Sequence, residues 1–75
     1  MRVTVKLIGP FVQTCGFGEK ELDLPRGATA ADLTAQVAPG RTRPWIVTRN
    51  SQALAPGEAL AEGDRVVIAP VYSGG

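Results

Sequence analysis

The chain has 75 residues, enough for one small domain whose core must be thin, since a chain this short buries only roughly 60% of its unfolded surface. Eight basic residues against seven acidic ones give a net charge of +1, too balanced for nucleic-acid binding driven by long-range attraction. A hydrophobic content of 44% argues against intrinsic disorder. There is one cysteine, Cys15, so no intramolecular disulfide can form, and there is no histidine. That inventory lacks the commonest general base and metal ligand, the usual partner of a nucleophilic Ser or Cys, and the familiar zinc spacings. Met1-Arg2 runs into an alternating pattern and not an apolar leader, and no apolar run approaches the roughly 20 residues of a membrane span. These features predict a reduced, soluble, cytoplasmic protein that engages no membrane and no nucleic acid.

Val3, Val5 and Leu7 alternate with Arg2, Thr4 and Lys6, which predicts a half-buried first strand ended by Gly9-Pro10. The stretch from Phe11 to Gly18, with Gly16 and Gly18, reads as a loop whose Phe11 and Phe17 dock on the core edge. A second strand is expected in Glu19-Lys20-Glu21-Leu22-Asp23-Leu24, paired with the first as a hairpin. Its Glu21 and Asp23 share the outer face, and a solvated face is the favoured reading over acid–base work. Pro25-Arg26-Gly27 is a turn. Thr29-Ala30-Ala31-Asp32 resembles a capping box, with Ala30, Leu33 and Val37 on one helical face and Pro39-Gly40 as the stop. So short a helix needs a sheet to lie on.

Arg41-Thr42-Arg43-Pro44 is a basic linker. Trp45-Ile46-Val47-Thr48 is β-favouring with weak alternation, which leaves the side taken by Trp45 open. Asn50-Ser51 is a turn signal, Gln52-Ala53-Leu54 a short strand, Pro56-Gly57 a turn and Glu58-Ala59-Leu60 a single helical or 3₁₀ turn. Glu62-Gly63-Asp64 feeds the last strand, in which Val66 and Ile68 share one face and Arg65 and Val67 the other. Cys15 lacks a base or a positive neighbour in sequence, so it reads as structural. Arg41, Arg43 and Arg49 have too little aromatic interleaving for a nucleic-acid site.

One helix on one face of a small mixed sheet of four to five strands is an α+β two-layer arrangement. Pairing the first and last strands as parallel central neighbours puts their apolar residues under the helix, and that order is what a β-grasp domain looks like. Residues 1–70 form the domain and residues 71–75 a flexible tail. Two glycines at its end, Gly74 and Gly75, contribute little to a fold. They can, however, thread a slot that admits little more than backbone. The Gly75 carboxylate is therefore the candidate working group, against the alternative of an idle, frayed terminus.

The chain resembles the ubiquitin-like sulfur-carrier family that includes ThiS and MoaD, the small subunit of molybdopterin synthase. The likeness rests on Val3-Thr4-Val5-Lys6-Leu7, on Gly27-Ala28-Thr29-Ala30-Ala31-Asp32-Leu33 and on Val47-Thr48-Arg49-Asn50. Its strongest part is the last stretch, from Glu62-Gly63-Asp64 to Tyr72-Ser73-Gly74-Gly75, where Pro70-Val71 before the terminal glycines looks more like MoaD. Arg49 and Ser51 depart from the apolar residue and glycine that members often carry there, and Tyr72-Ser73 is bulkier than some tails. The resemblance implies a ubiquitin-like β-grasp carrier with no catalysis and no bound cofactor of its own. An E1-like adenylyltransferase would thread Ser73, Gly74 and Gly75 into its ATP site and adenylate Gly75. A desulfurase or rhodanese-type sulfur donor would then make the thiocarboxylate. The large subunit of molybdopterin synthase, or alternatively thiazole synthase in the thiamin pathway, would take the sulfur. A ubiquitin-like protein modifier and an interaction module with an inert tail are the further alternatives.

Five extended residues past Pro70 reach at most roughly 16–18 Å, so a docking surface should lie near the tail. Ile8, Arg65, Val67, Val71 and Tyr72 are the candidates for it.

Overall fold

The computed structural model describes residues 1–37 and 45–71. In chain order the elements are β1 (Arg2–Leu7), α1 (Pro10–Cys15), β2 (Glu19–Asp23), α2 (Ala30–Val37), β3 (Trp45–Arg49), β4 (Gln52–Ala53) and β5 (Arg65–Pro70). The five strands form one mixed sheet in the order β2-β1-β5-β3-β4. β1 and β5 run parallel at its centre, with Val5 opposite Val66 and Leu7 opposite Ile68, and every other pairing is antiparallel. This is the β-grasp arrangement expected from the strand order.

The period-two pattern of β1 and β5 fixes which face is buried. Val3, Val5, Leu7, Val66 and Ile68 form the centre of the core with Leu22, Val47 and Leu33 of α2. The other face of the same strands carries Arg2, Thr4, Lys6, Arg65, Val67 and Ala69, all exposed or half-buried. The α2 start is the capping box foreseen in the sequence. The Thr29 N–H donates to Asp32 Oδ2 at 2.9 Å, and the Asp32 N–H donates back to Thr29 Oγ1 at 3.3 Å. Ala30 and Leu33 are buried, and Val37 packs at the core margin. The expected stop at Pro39-Gly40 and the basic linker 41–44 lie outside the described residues.

Two segments differ from the sequence expectation. The stretch from Phe11 to Gly18 is not all loop, because it contains most of α1. Its glycines are caps. Gly9, at φ 62° and ψ −130°, turns the chain out of β1, Pro10 pre-sets the first helical φ, and left-handed Gly16 donates its N–H to the Val12 carbonyl at 2.9 Å. A six-residue helix is not stable alone. This one is held by Phe11, which is fully in the core and not at its edge.

The second difference is at Glu58-Ala59-Leu60, which forms no helical turn. It runs extended beside residues 28–30, with Ala30 N–H to Glu58 O at 3.0 Å and Leu60 N–H to Ala28 O at 2.9 Å. Backbone bonds across to the start of α2 and burial of Leu60 outweigh a local turn. Trp45 stands opposite Pro70, on the helix side of the sheet, and packs against the core.

Candidate functional site

The outer face of the sheet and the exit of β5 form one continuous area. The Ile8 N–H donates to the Ile68 carbonyl at 3.0 Å, extending the β1–β5 pairing by one residue and turning the Ile8 side chain outward, opposite in sense to Leu7. Val67 lies opposite Lys6 and Thr48, and Ala69 opposite Ile46. Alternation puts Ile8, Val67, Ala69, Ile46 and Val71 on the same side. Ile8 is 38% exposed and Val71 45% exposed, whereas Val67 is half-buried. The three apolar docking candidates among the described residues thus fall together at the end of β5.

Ile46 and Ala69 complete that strip and were not singled out from the sequence. The only signal for Ile46 was its alternation with Trp45 and Val47, masked because all three are apolar. Arg65 shares the outer face at the opposite end of β5. Its Nη2 lies 3.8 Å from Glu19 Oε2, and both side chains are largely exposed, so this pair contributes little. Glu21 and Asp23 are also exposed, and Asp23 Oδ1 sits 3.5 Å from Arg2 Nε, which fits a solvated face. Tyr72, Ser73, Gly74 and Gly75 lie outside the described residues.

Arg49 is held within the fold. Its Nη1 is 2.8 Å from Asp64 Oδ2 and 3.3 Å from the Ala59 carbonyl, and its Nη2 is 3.9 Å from Glu58 Oε2. Burial pushes the Asp64 carboxyl up. The Ala61 N–H, and then Arg49 by hydrogen bond and by charge, outweigh it and hold the group below the ordinary aspartate value. Arg49 therefore clasps the end of β3 to the start of β5, a role the sequence did not reveal. Cys15 is half-buried at the core margin and forms no disulfide. On the helix side, a groove of about 430 Å³ is lined by Ala30, Ala31, Thr34, Trp45, Leu54 and Pro56. Among the described residues no cluster of three or more His, Cys, Asp or Glu could hold a metal ion. No helix there is long and apolar enough to cross a membrane.

The model of the ThiS family matches residues 5–75. No curated protein gives a significant match. Among solved structures, SAMP1 from Haloferax volcanii is 27% identical over 100% of both chains, with a TM-score of 0.79. A protein assigned as molybdopterin converting factor subunit 1 from Pyrococcus furiosus is 26% identical, covering 96% of this chain and 99% of its own, with a TM-score of 0.83. A chain from the complex of subunits 1 and 2 of the molybdopterin-converting factor of Helicobacter pylori 26695 is 17% identical over 100% of both, with a TM-score of 0.69, and shares the fold. With a β-grasp sheet, an apolar strip leading to the C-terminal segment and a family match across nearly its whole length, this chain belongs to the ThiS family of ubiquitin-like sulfur carriers.

Proposed function

We propose that the protein is a non-catalytic sulfur carrier whose Gly75 carboxylate is the reacting group. An E1-like enzyme docks on the outer strip of Ile8, Val67 and Val71, with Arg65 and Tyr72 the further docking candidates, and receives Ser73, Gly74 and Gly75 in its ATP site. A Gly75 carboxylate oxygen attacks the α-phosphorus of ATP, pyrophosphate leaves, and an acyl-adenylate results. The cysteine persulfide of a desulfurase- or rhodanese-type donor then attacks the acyl carbon, AMP departs with an acyl disulfide left behind, and a thiol reductant cleaves its S–S bond, releasing the thiocarboxylate as the donor cysteine and the reductant pass into a disulfide. The physical need is plain: a carboxylate is a poor electrophile at neutral pH until it carries a good leaving group. The sulfur terminus is in turn a stronger nucleophile than the oxygen one. ATP is consumed by the partner, and this chain contributes no acid, base or metal.

The observation that carries this reading is the ThiS family match running through residue 75. Molybdopterin synthesis is the favoured destination, supported by likeness to the Pyrococcus furiosus converting-factor subunit. The large subunit of the synthase is then the partner that takes the sulfur into a cofactor precursor, with thiazole synthase as the alternative. The test is intact mass after incubation with the activating enzyme, ATP and a sulfur source. The expected product is heavier by the difference between sulfur and oxygen, and the same chain with an alanine appended after Gly75 should not change. An unchanged wild-type mass, or equal conversion of the extended chain without trimming, overturns the reading. A second reading, protein modification, is favoured by the 27% identity to SAMP1. It predicts high-mass conjugates instead, with Lys6 and Lys20 the only side-chain amine acceptors on this chain itself.

A further inference from the structure

Three large apolar side chains stand exposed among the described residues: Ile8, Val71 and, at 37%, Val12. Scattered singly over the surface they would need no explanation. They are not scattered. Ile8 extends the β1–β5 pairing, Val71 follows β5 directly, and Val12 is on α1, which lies against β5. Gly9, between Ile8 and α1, meets the same strand end, since a Cβ built on it would lie 3.9 Å from Pro70 Cγ. Val12 is also fixed in place. Its N–H donates to the Gly9 carbonyl at 3.2 Å, its carbonyl accepts from the Gly16 N–H at 2.9 Å, and neighbouring Phe11 anchors the helix in the core.

The segments that meet there carry no charge. No residue between Lys6 and Glu19 is charged, none from Trp45 to Thr48, and none from Val66 to Val71. The nearest charges, Lys6 and Glu19, are opposite in sign and stand opposite each other in the β1–β2 register. Fixed apolar side chains on charge-free ground, with charges at the margin, have the make-up of an interface core and its rim.

We propose that the docking surface turns the corner from the sheet onto α1, with Val12 as a contact, and that the activating enzyme meets this end with an apolar, uncharged surface. An unpaired charge on either side would be desolvated with nothing to compensate it. The partner's identity rests on the carrier reading. Four residues separate Val71 from Gly75 and span at most roughly 14 Å, so whatever holds Gly75 lies close to this end of the molecule. A second copy seated there would take the same ground.

Val12→Asp tests the contact. It puts a carboxylate in the first turn of α1, where the helix dipole tolerates it, so the melting temperature should stay within a few degrees of wild type. KM for activation should rise about tenfold with kcat little changed, and Val12→Ala should raise it about two- to threefold. Gln52→Glu, an added carboxylate on the exposed β4, should change nothing. Wild-type KM should vary less than about twofold between low and moderate salt, since the contact is uncharged.

An enzyme that activates the wild type and Val12→Asp equally overturns the surface and leaves the carrier reading standing. So does a steep salt dependence, or a wild-type dimer in sedimentation that Val12→Asp dissociates. Calorimetry with the activating enzyme and no ATP separates the two claims. Binding that Val12→Asp weakens, with no adenylate formed once ATP is added, keeps the surface and overturns the carrier reading. No binding and no activation overturn both.

Discussion

The side chain with the most defined surroundings in the fold is Asp64. It accepts from the Ala61 N–H at 2.8 Å and from Arg49 Nη1 at 2.8 Å, with side-chain exposures of 18% for Asp64 and 28% for Arg49. Removing it leaves a largely buried guanidinium without its closest partner. Asp64→Ala should therefore cost about 1–3 kcal/mol, read from urea unfolding at neutral pH. The sign of the pH dependence follows from the lowered folded-state pKa. The stabilisation is fully present above the unfolded aspartate value of about 3.9, and it is lost as pH falls through the lower folded value. Wild type and variant should differ at pH 7 and converge in acid; a gap that widens on acidification would contradict the assignment. Arg49 was legible in the sequence only as a departure from its relatives and as one of three scattered arginines. Its acidic partners are remote in sequence, so only tertiary proximity identifies them.

Among the elements, the β3–β4 hairpin shows most directly how local chemistry sets geometry. Asn50 and Ser51 have φ of 54° and 67°, with Arg49 opposite Gln52 around a two-residue loop. Both left-handed positions match the primed turns that suit the twist of a hairpin, where Asn-Gly is the preferred pair. Asn tolerates the first position, while Ser at the second carries a Cβ strain of roughly 1–2 kcal/mol. Glycine would relieve this strain and give back part of it as unfolded-state entropy. Ser51→Gly should thus stabilise by about 0.5–1 kcal/mol, a rise of several degrees in melting temperature for a domain this small. An unchanged or lower melting temperature would show that Ser51 is compensated elsewhere. The turn was legible from Asn50-Ser51, as α2 was from its capping box. The α1 helix was not, because Gly9 and Gly16 look the same in sequence whether they cap a helix or bound a loop.

At the scale of the whole molecule, the sheet has one apolar face under α2 and a second, smaller apolar strip on its open side. The two answer differently to mutation. Leu33→Ala, at the fully buried centre, should cost about 2–5 kcal/mol through lost burial and the cavity left behind. Ile8→Asp or Val71→Asp, on exposed positions, should leave the melting temperature within a few degrees of wild type. If the strip docks the activating enzyme, the same two variants should lower kcat/KM for activation by about tenfold or more, with the loss in KM, since burying an unpaired carboxylate in an apolar contact costs that much. Activation unchanged in both would remove the strip from the interface.

By itself the sequence determined the strand order, the buried face of β1 and β5, the α2 start and the Gly-Gly segment. Each of these is written in periodicity or in turn and cap residues within a few positions of one another, which local physics can read. Only the tertiary structure decided that Ile8, Val67 and Val71 share a strip with Ile46 and Ala69, that Arg49 meets Asp64 and that Trp45 faces the helix. Those facts depend on the register between strands distant in the chain. Register is set by the fit of the whole core, and no short window of sequence contains it.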